Sequence, residues 1–431
     1  MIEIVNIIFL ILTMIWISCF PIVKESLNIN LLKYKITKLE KITINLSILI
    51  NFLLIFSFYN IDQKYIFIAF LFFPLINLIY LNKSLKLEEY YFLFFFTFVL
   101  SVTISSNLTL EWDGAAVWIY RTLNFVSENN FKNLSEVPGD ISYPHLGSYL
   151  WAFFWKNSIF HGEYVGRIFF IYSFCLSILI LINSVKINLF KKILLSITFF
   201  IISLDYYLFS GYQEYLVFSF LICIFYFYFK YVDKKNFLFL VPVFLFMNAT
   251  IWVKNEATFF ILFFLLFIYF ENFINKRKID RNILLLSIYY VTVVFIKYYI
   301  FYENFNVINK GWHDYEISSF EKLFHLSYFF ERSLAIIEAI FIAFIKCEIF
   351  LIFFLSIIFF SNKKNLNILL PFLFYLILNL FLIFFIYYLS NSPSWDYFLA
   401  TTVDRLMFQI SGVFLLPIIY FLNKNFNLKN N

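Results

Sequence analysis

The sequence predicts an all-α, polytopic transmembrane protein of about thirteen spans, within about eleven to fourteen. Three observations predict it: an apolar, aromatic composition, apolar runs of bilayer length, and basic residues gathered in alternate loops. Hydrophobic residues make up 62% of the 431, aromatics 24% and charged residues 14%, against about 45–50% apolar and about 25% charged in a soluble domain. Sixty-six phenylalanines and 31 tyrosines exceed what the interior of one globule can hold, so lipid is the expected solvent for most of the chain. The same composition excludes intrinsic disorder. Eight glycines leave little material for the glycine-rich loops of dinucleotide-binding folds. Cys19, Cys175, Cys223 and Cys347 fall inside apolar runs without CxxC spacing and read as small buried side chains.

The spans are expected near residues 4–23, 42–60, 65–81 and 90–106, then 164–183, 193–209, 212–231, 237–253, 257–270 and 282–301, and finally 333–360, 366–390 and 405–422. The first has neither a basic flank nor a small-residue cleavage site, so it is expected to stay as a span rather than leave as a signal peptide. The stretch 146–155 is too short to cross and reads as an interfacial helix. One membrane domain is expected. It has N-terminal spans over 1–106, an outer loop with juxtamembrane helices over 107–163, and a helical core over 164–431 with outer loops at 302–332 and 391–404.

Alternating these runs sorts the loops into two sets. Residues 24–41, 82–89, 184–192, 230–236, 271–281, 361–365 and the tail from 423 hold 21 of the 33 lysines and arginines. The positive-inside rule makes that set cytoplasmic. An integral, multi-pass protein of a bacterial cytoplasmic membrane is expected, with its chemistry on the outward face. Basic runs such as Lys276-Arg277-Lys278 read as topology signals, so the bilayer is the expected partner and nucleic acid is not. No repeat of about 20–50 residues is visible, and no half-to-half symmetry of broken helices marks an inverted-repeat transporter.

On the outer side the polar residues converge. Glu111-Trp112-Asp113-Gly114 opens the first outer loop, and its carboxylates suit either a helix cap or a general base or cation ligand. Gly211-Tyr212-Gln213-Glu214 falls at the same depth, as does Trp252-Val253-Lys254-Asn255-Glu256, in a connection too short to be only solvated. Ionisable groups at membrane depth cost about 2.5–3.5 kcal/mol each on insertion scales, so they tend to be paired and functional. Trp312-His313-Asp314 lies in the late loop. His145, His161, His313 and His325 show no metal-ligand spacing. Asp404-Arg405 introduces the last span, where the guanidinium fork matches phosphate oxygens. The set points to a site for an anionic ligand that enters from lipid.

In order, Trp112-Asp113-Gly114 with Val117-Trp118, Tyr143-Pro144 leading through His145 into Tyr149–Trp155, Gly211–Tyr215, Trp252–Ala257 and Trp395 to Asp404-Arg405 resemble motifs of known enzymes. They resemble those of the bacterial polytopic glycosyltransferases of the GT-C type, the group of the protein mannosyltransferases and aminoarabinose transferases. The resemblance covers roughly 107–422 and departs from the family pattern at Glu214, Ala257 and Asp396. It implies transfer of a sugar from a polyprenyl-phosphate carrier to a glycan, lipid or protein acceptor. Asp113 then stands as the catalytic base beside Glu111, and Arg405 and Lys254 as ligands of the donor phosphate. Glu256 would orient Lys254. Asn255, Glu214, Asp404, Tyr143 and His145 would bind or orient substrate. The resemblance fixes no resident cofactor, and Glu111 and Asp113 are the residues that suit a divalent metal. Two other functions compete: an O-antigen polymerase or ligase, and a transporter or flippase for lipid-linked saccharide. A transporter would place charges along the spans, where Lys297, Glu338, Lys346 and Glu348 are found.

Overall fold

Where lipid surrounds a chain, its backbone N–H and C=O groups must be satisfied internally, and helices do this segment by segment. A computed structural model describes residues 2–19, 36–81, 88–106, 108–128, 130–138, 141–305, 326–360, 363–390 and 394–428. It is all-α among the described residues and divides into two compact units. Met1–Ser184 with Asn188–Lys254 form the first, and Val185–Ile187 with Asn255–Asn431 the second.

The first unit contains α1 (Ile2–Ser18), α2 (Lys38–Phe56), α3 (Gln63–Leu81), α4 (Glu88–Ser106), α5 (Ile119–Val126), α6 (Leu146–Lys156), α7 (Glu163–Asn183), α8 (Leu189–Ser203), α9 (Glu214–Lys234) and α10 (Leu240–Val253). The second contains α11 (Ala257–Ile274), α12 (Arg281–Phe305), α13 (Leu326–Lys346), α14 (Glu348–Phe360), α15 (Lys363–Leu389), α16 (Trp395–Ser411) and α17 (Leu415–Leu428).

The chain is an integral, multi-pass membrane protein, but the expectation of about thirteen spans is overturned. Among the described residues, seven helices are long and apolar enough to cross: Lys38–Phe56, Glu163–Asn183, Glu214–Lys234, Ala257–Ile274, Arg281–Phe305, Leu366–Leu389 and Trp395–Leu422. An eighth is added if Arg332–Lys346 and Glu348–Phe359 count as one span, although they are bent by 82° at the break. For three of the expected spans the reason is length. α1, α8 and α10 have 17, 15 and 14 residues, and at about 1.5 Å per residue none reaches the roughly 30 Å of a hydrocarbon core. An apolar run read from composition includes flanking turns that do not continue the helix.

In the first unit, α2 is held to its neighbours at both ends. Thr37 and Glu40 form a reciprocal capping box at the start of α2. The buried Glu40 carboxylate also accepts from Tyr226 Oη at 2.8 Å and pairs with Lys230 at 3.0 Å. The start of α2 is thereby fastened to the end of α9. At the other end of the unit, Ser57 Oγ meets His145 Nε2 at 2.6 Å. Between them, Asn51 donates to the Leu245 carbonyl at 2.9 Å and accepts from Asn248 at 2.7 Å, tying α2 to α10. Lys38, Lys41, Lys191, Lys192, Lys230, Lys234 and Lys235 lie at or beside the helix ends on the Glu40 side. The starts of α7 and α9 and the end of α10 lie at the opposite end.

The second unit is centred on Phe414, whose ring meets Phe350, Phe353, Phe372 and Tyr375. Arg332, buried on α13, closes the end of α15. Its Nη1 donates to the carbonyls of Tyr387, Tyr388 and Ser390 at 3.0, 3.3 and 2.8 Å, and its guanidinium lies 4.4 Å from the Trp395 ring centroid. A helix end leaves its last carbonyls without intrahelical partners, and a buried cation answers both their hydrogen bonding and their dipole. Arg332→Ala is expected to destabilise the full-length protein by about 3 kcal/mol, since hydrogen bonds to charged groups contribute about 1.5–3 kcal/mol. Arg332→Lys should lose about half as much. Unfolding in mixed micelles measures both.

Candidate functional site

The first outer-loop motif folds into an uncommon element. Gly114–Trp118 is a single turn of π-helix leading into α5, with the Ile119 N–H bonded to the Gly114 carbonyl. Such turns insert one residue into a helix and recur at functional sites. Asp113 precedes it in helical conformation, and its side chain makes no capping hydrogen bond. The carboxylate therefore does not cap this turn. Glu111 is exposed and Asp113 half-buried.

The Glu111 backbone N–H donates to the Ser210 carbonyl at 3.1 Å. A Cβ on Gly114 would stand 2.5 Å from that same carbonyl oxygen. Gly211, at φ +84°, faces Gly114, and a Cβ there would lie 2.7 Å from Leu110 and 3.1 Å from Trp151. Two motifs about a hundred residues apart in the chain thus meet backbone to backbone, at a spacing that only glycine permits. The Gln213 side chain lies over Gly147, and its amide donates to Ser148 Oγ at 3.2 Å, which brings α6 into the same assembly.

Beneath this junction lies a buried ion pair. Glu214, 0% exposed at the start of α9, accepts from Lys254 Nζ at 2.7 Å. The Lys254 side chain is 5% exposed, and its ammonium lies 5.6 Å from the Trp118 ring centroid. Lys254 is where α10 stops, its backbone turning extended at φ −145°, ψ 152°. Trp118 in turn meets Tyr143 edge to face at 5.5 Å. His145 is 0% exposed and enclosed by Phe58, Phe125, Phe131 and Trp252, where it packs α6 against the end of α2. The first unit therefore brings Glu111, Asp113, Tyr143, His145, Glu214 and Lys254 to one end.

The unit boundary falls inside the Lys254-Asn255-Glu256 triplet. In the second unit, Glu256 accepts from Gln409 Nε2 at 3.1 Å, and Asn255 Oδ1 accepts from the buried Lys297 Nζ at 3.0 Å. Asp404 pairs with Lys346 at 2.7 Å. Arg405 is buried on α16. Thr402 and Gln409, three residues before and four after it, share its face of the helix, and Thr402 Oγ1 is hydrogen-bonded to Tyr387 Oη. Lys297, one of the in-span charges that the transporter alternative would use, is here part of the Asn255 surroundings. Trp312, His313, Asp314 and His325 lie outside the described residues.

Sequence reasoning passed over Arg167 and Arg332. The signal for Arg167 was present: Glu163 and Arg167 stand four apart inside an apolar run, the spacing at which helix side chains pair. Among the described residues, no three His, Cys, Asp or Glu side chains gather as a metal site.

Fold and site together define an α-helical, multi-pass membrane protein that concentrates ionisable groups at one end of its first unit. In comparisons with family models, curated proteins and solved structures, none matches this chain.

Removing one partner of a buried ion pair costs about 3–5 kcal/mol, because it strands the other charge. Glu214→Leu and Lys254→Met should each show a loss of that size, and the double variant less than either, in unfolding measurements on the purified protein. Gly114→Ala should cost about 1–3 kcal/mol, as overpacking does.

Proposed function

We propose that the chain is a membrane glycosyltransferase that moves a sugar from a polyprenyl-phosphate donor to an acceptor hydroxyl on the outward face of a bacterial cytoplasmic membrane. The observation that carries this reading is the junction in the first unit. Three segments with motifs resembling those of lipid-phosphate-dependent glycosyltransferases pack together there, through the Glu111–Ser210 backbone contact and the Glu214–Lys254 pair. The lysines at the opposite end of the unit support an outward orientation by the positive-inside rule.

In the proposed step, the acceptor hydroxyl oxygen attacks the anomeric carbon. Its proton passes to the Asp113 carboxylate, and the bond from the anomeric carbon to the phosphate oxygen breaks, releasing polyprenyl phosphate. Glu111 and Tyr143 contact sugar hydroxyls. Lys254, held by Glu214 against the Trp118 ring, supplies a fixed positive field for the charge that develops on the phosphate. The acceptor is a glycan, lipid or protein.

A second reading has one observation of its own. The 82° break between α13 and α14 sets Lys346 and Glu348 at a discontinuity of the kind that transporters use for substrate. Movement of a lipid-linked saccharide is therefore the alternative.

One experiment separates the two. Full-length protein in liposomes is given a panel of radiolabelled polyprenyl-phosphate sugars with cell-envelope glycans as acceptors, with and without EDTA. Donor consumption that falls about a hundredfold or more in Asp113→Asn is expected, the scale of a lost general base. Undiminished consumption in that variant removes Asp113 from the mechanism. Transbilayer movement of the same lipids without consumption replaces the transferase with the transporter.

A further inference from the structure

The two segments that meet at the junction are also held by a third element. Arg167 lies one turn into α7 with its side chain 0% exposed. Its Nη1 donates to the Thr109 carbonyl at 3.4 Å and to the Phe209 carbonyl. Thr109 stands two residues before Glu111, and Phe209 two before Gly211. One guanidinium therefore holds the backbone of both segments.

That guanidinium is itself aimed. Glu163, four residues earlier, accepts from Nη2 at Oε2, 2.9 Å away, and its Oε1 lies 2.9 Å from Nε as an ion-pair contact. The Glu163 carbonyl accepts the Trp151 indole N–H at 3.1 Å, and Trp151 packs on both Gly166 and Gly211. A planar fork with five donors can serve a carboxylate and two carbonyls at once, whereas an ammonium is a single point of charge on a shorter reach. For stability alone, a buried ion pair is often replaceable by apolar side chains. Recruitment of two loop carbonyls to the same cation asks for a different explanation.

We propose that Arg167 is a positioning residue. It sets the register of the loop bearing Glu111 and Asp113 against the turn that leads into Glu214. The consequence for catalysis rests on the reading of Asp113 given above, but the placing of the two segments can be tested without it.

Glu111→Cys and Ser210→Cys are introduced together, with Cys19 and Cys347 replaced by serine. The backbone contact between these positions suits a disulfide, whose Cα atoms are about 4.4–6.8 Å apart. Oxidation rate in the full-length protein then reports the register. Arg167→Lys is expected to slow cross-linking about tenfold, through loss of the second carbonyl contact. Lys156→Gln removes the ion pairs of a buried lysine with the half-buried Asp62 and the exposed Glu128 at the same end of the unit, and should leave the rate unchanged. Cross-linking in Arg167→Lys as fast as in the parent, or slowed equally in Lys156→Gln, would overturn the proposal. If Arg167→Lys does not fold, Glu163→Gln keeps the guanidinium while loosening its aim. A slowing of about threefold is expected there, and an unchanged rate overturns the proposal.

In the donor assay, without the cysteine pair, Arg167→Lys should lower kcat about 10- to 100-fold with KM for donor nearly unchanged, as small misplacements of a reacting group do. An equal rise in KM with kcat unaltered would count against it. A slowed cross-link with no donor turnover in any protein, wild type included, withdraws the enzymatic reading and leaves the placing role of Arg167 standing.

Discussion

Once Glu214 and Lys254 leave water, each charge depends on the other, and the start of α9 and the end of α10 are obliged to meet. Much of the first unit can be read outward from that obligation. α9 and α10 form a hairpin whose open end must close on a 2.7 Å contact. Lys254 takes extended backbone there because its side chain has a fixed destination. Trp118 offers its face to the same ammonium, so the π-turn that carries it is drawn to the pair. The far end follows the same rule with Glu40, Tyr226 and Lys230, and Arg332 follows it in the second unit with carbonyls in place of a carboxylate.

Glycine is the complementary constraint. The chain has only eight, and Gly114, Gly147, Gly166 and Gly211 all stand where a Cβ would collide with another segment. In a sequence so poor in glycine, these positions are where α6, α7, the π-turn and the turn before α9 are brought closer than side chains allow. The polar cluster is thus built by backbone contact first and by side-chain chemistry second.

The spans most legible in the sequence are those with long, uninterrupted apolar faces, such as Glu163–Asn183 and Arg281–Phe305. α8 and α10 misled because hydropathy counts residues and not helical turns. The bend after Lys346 was hidden because Lys346-Cys347-Glu348 reads equally well as charges within one span. For the site, the sequence indicated which residues gather in the first unit, since polar groups at a membrane boundary are expensive enough to stand out. It did not indicate their partners. Lys254 pairs with a carboxylate forty positions earlier in the chain, while a nearer one, Glu256, accepts from Gln409. Local spacing carries no information about such choices. Nor could spacing decide whether Asp113 caps a helix, a matter of backbone dihedrals.

The short α8 has a consequence outside the protein. Its 15 residues extend about 23 Å, and Phe190, Leu194, Ile197 and Ile201 face outward from it. Lipid beside such a wall meets a hydrophobic belt several ångströms too short, and it adapts by thinning or by tilting its tails, at fractions of a kcal/mol per ångström. Membranes of lesser thickness accommodate such a helix at lower cost.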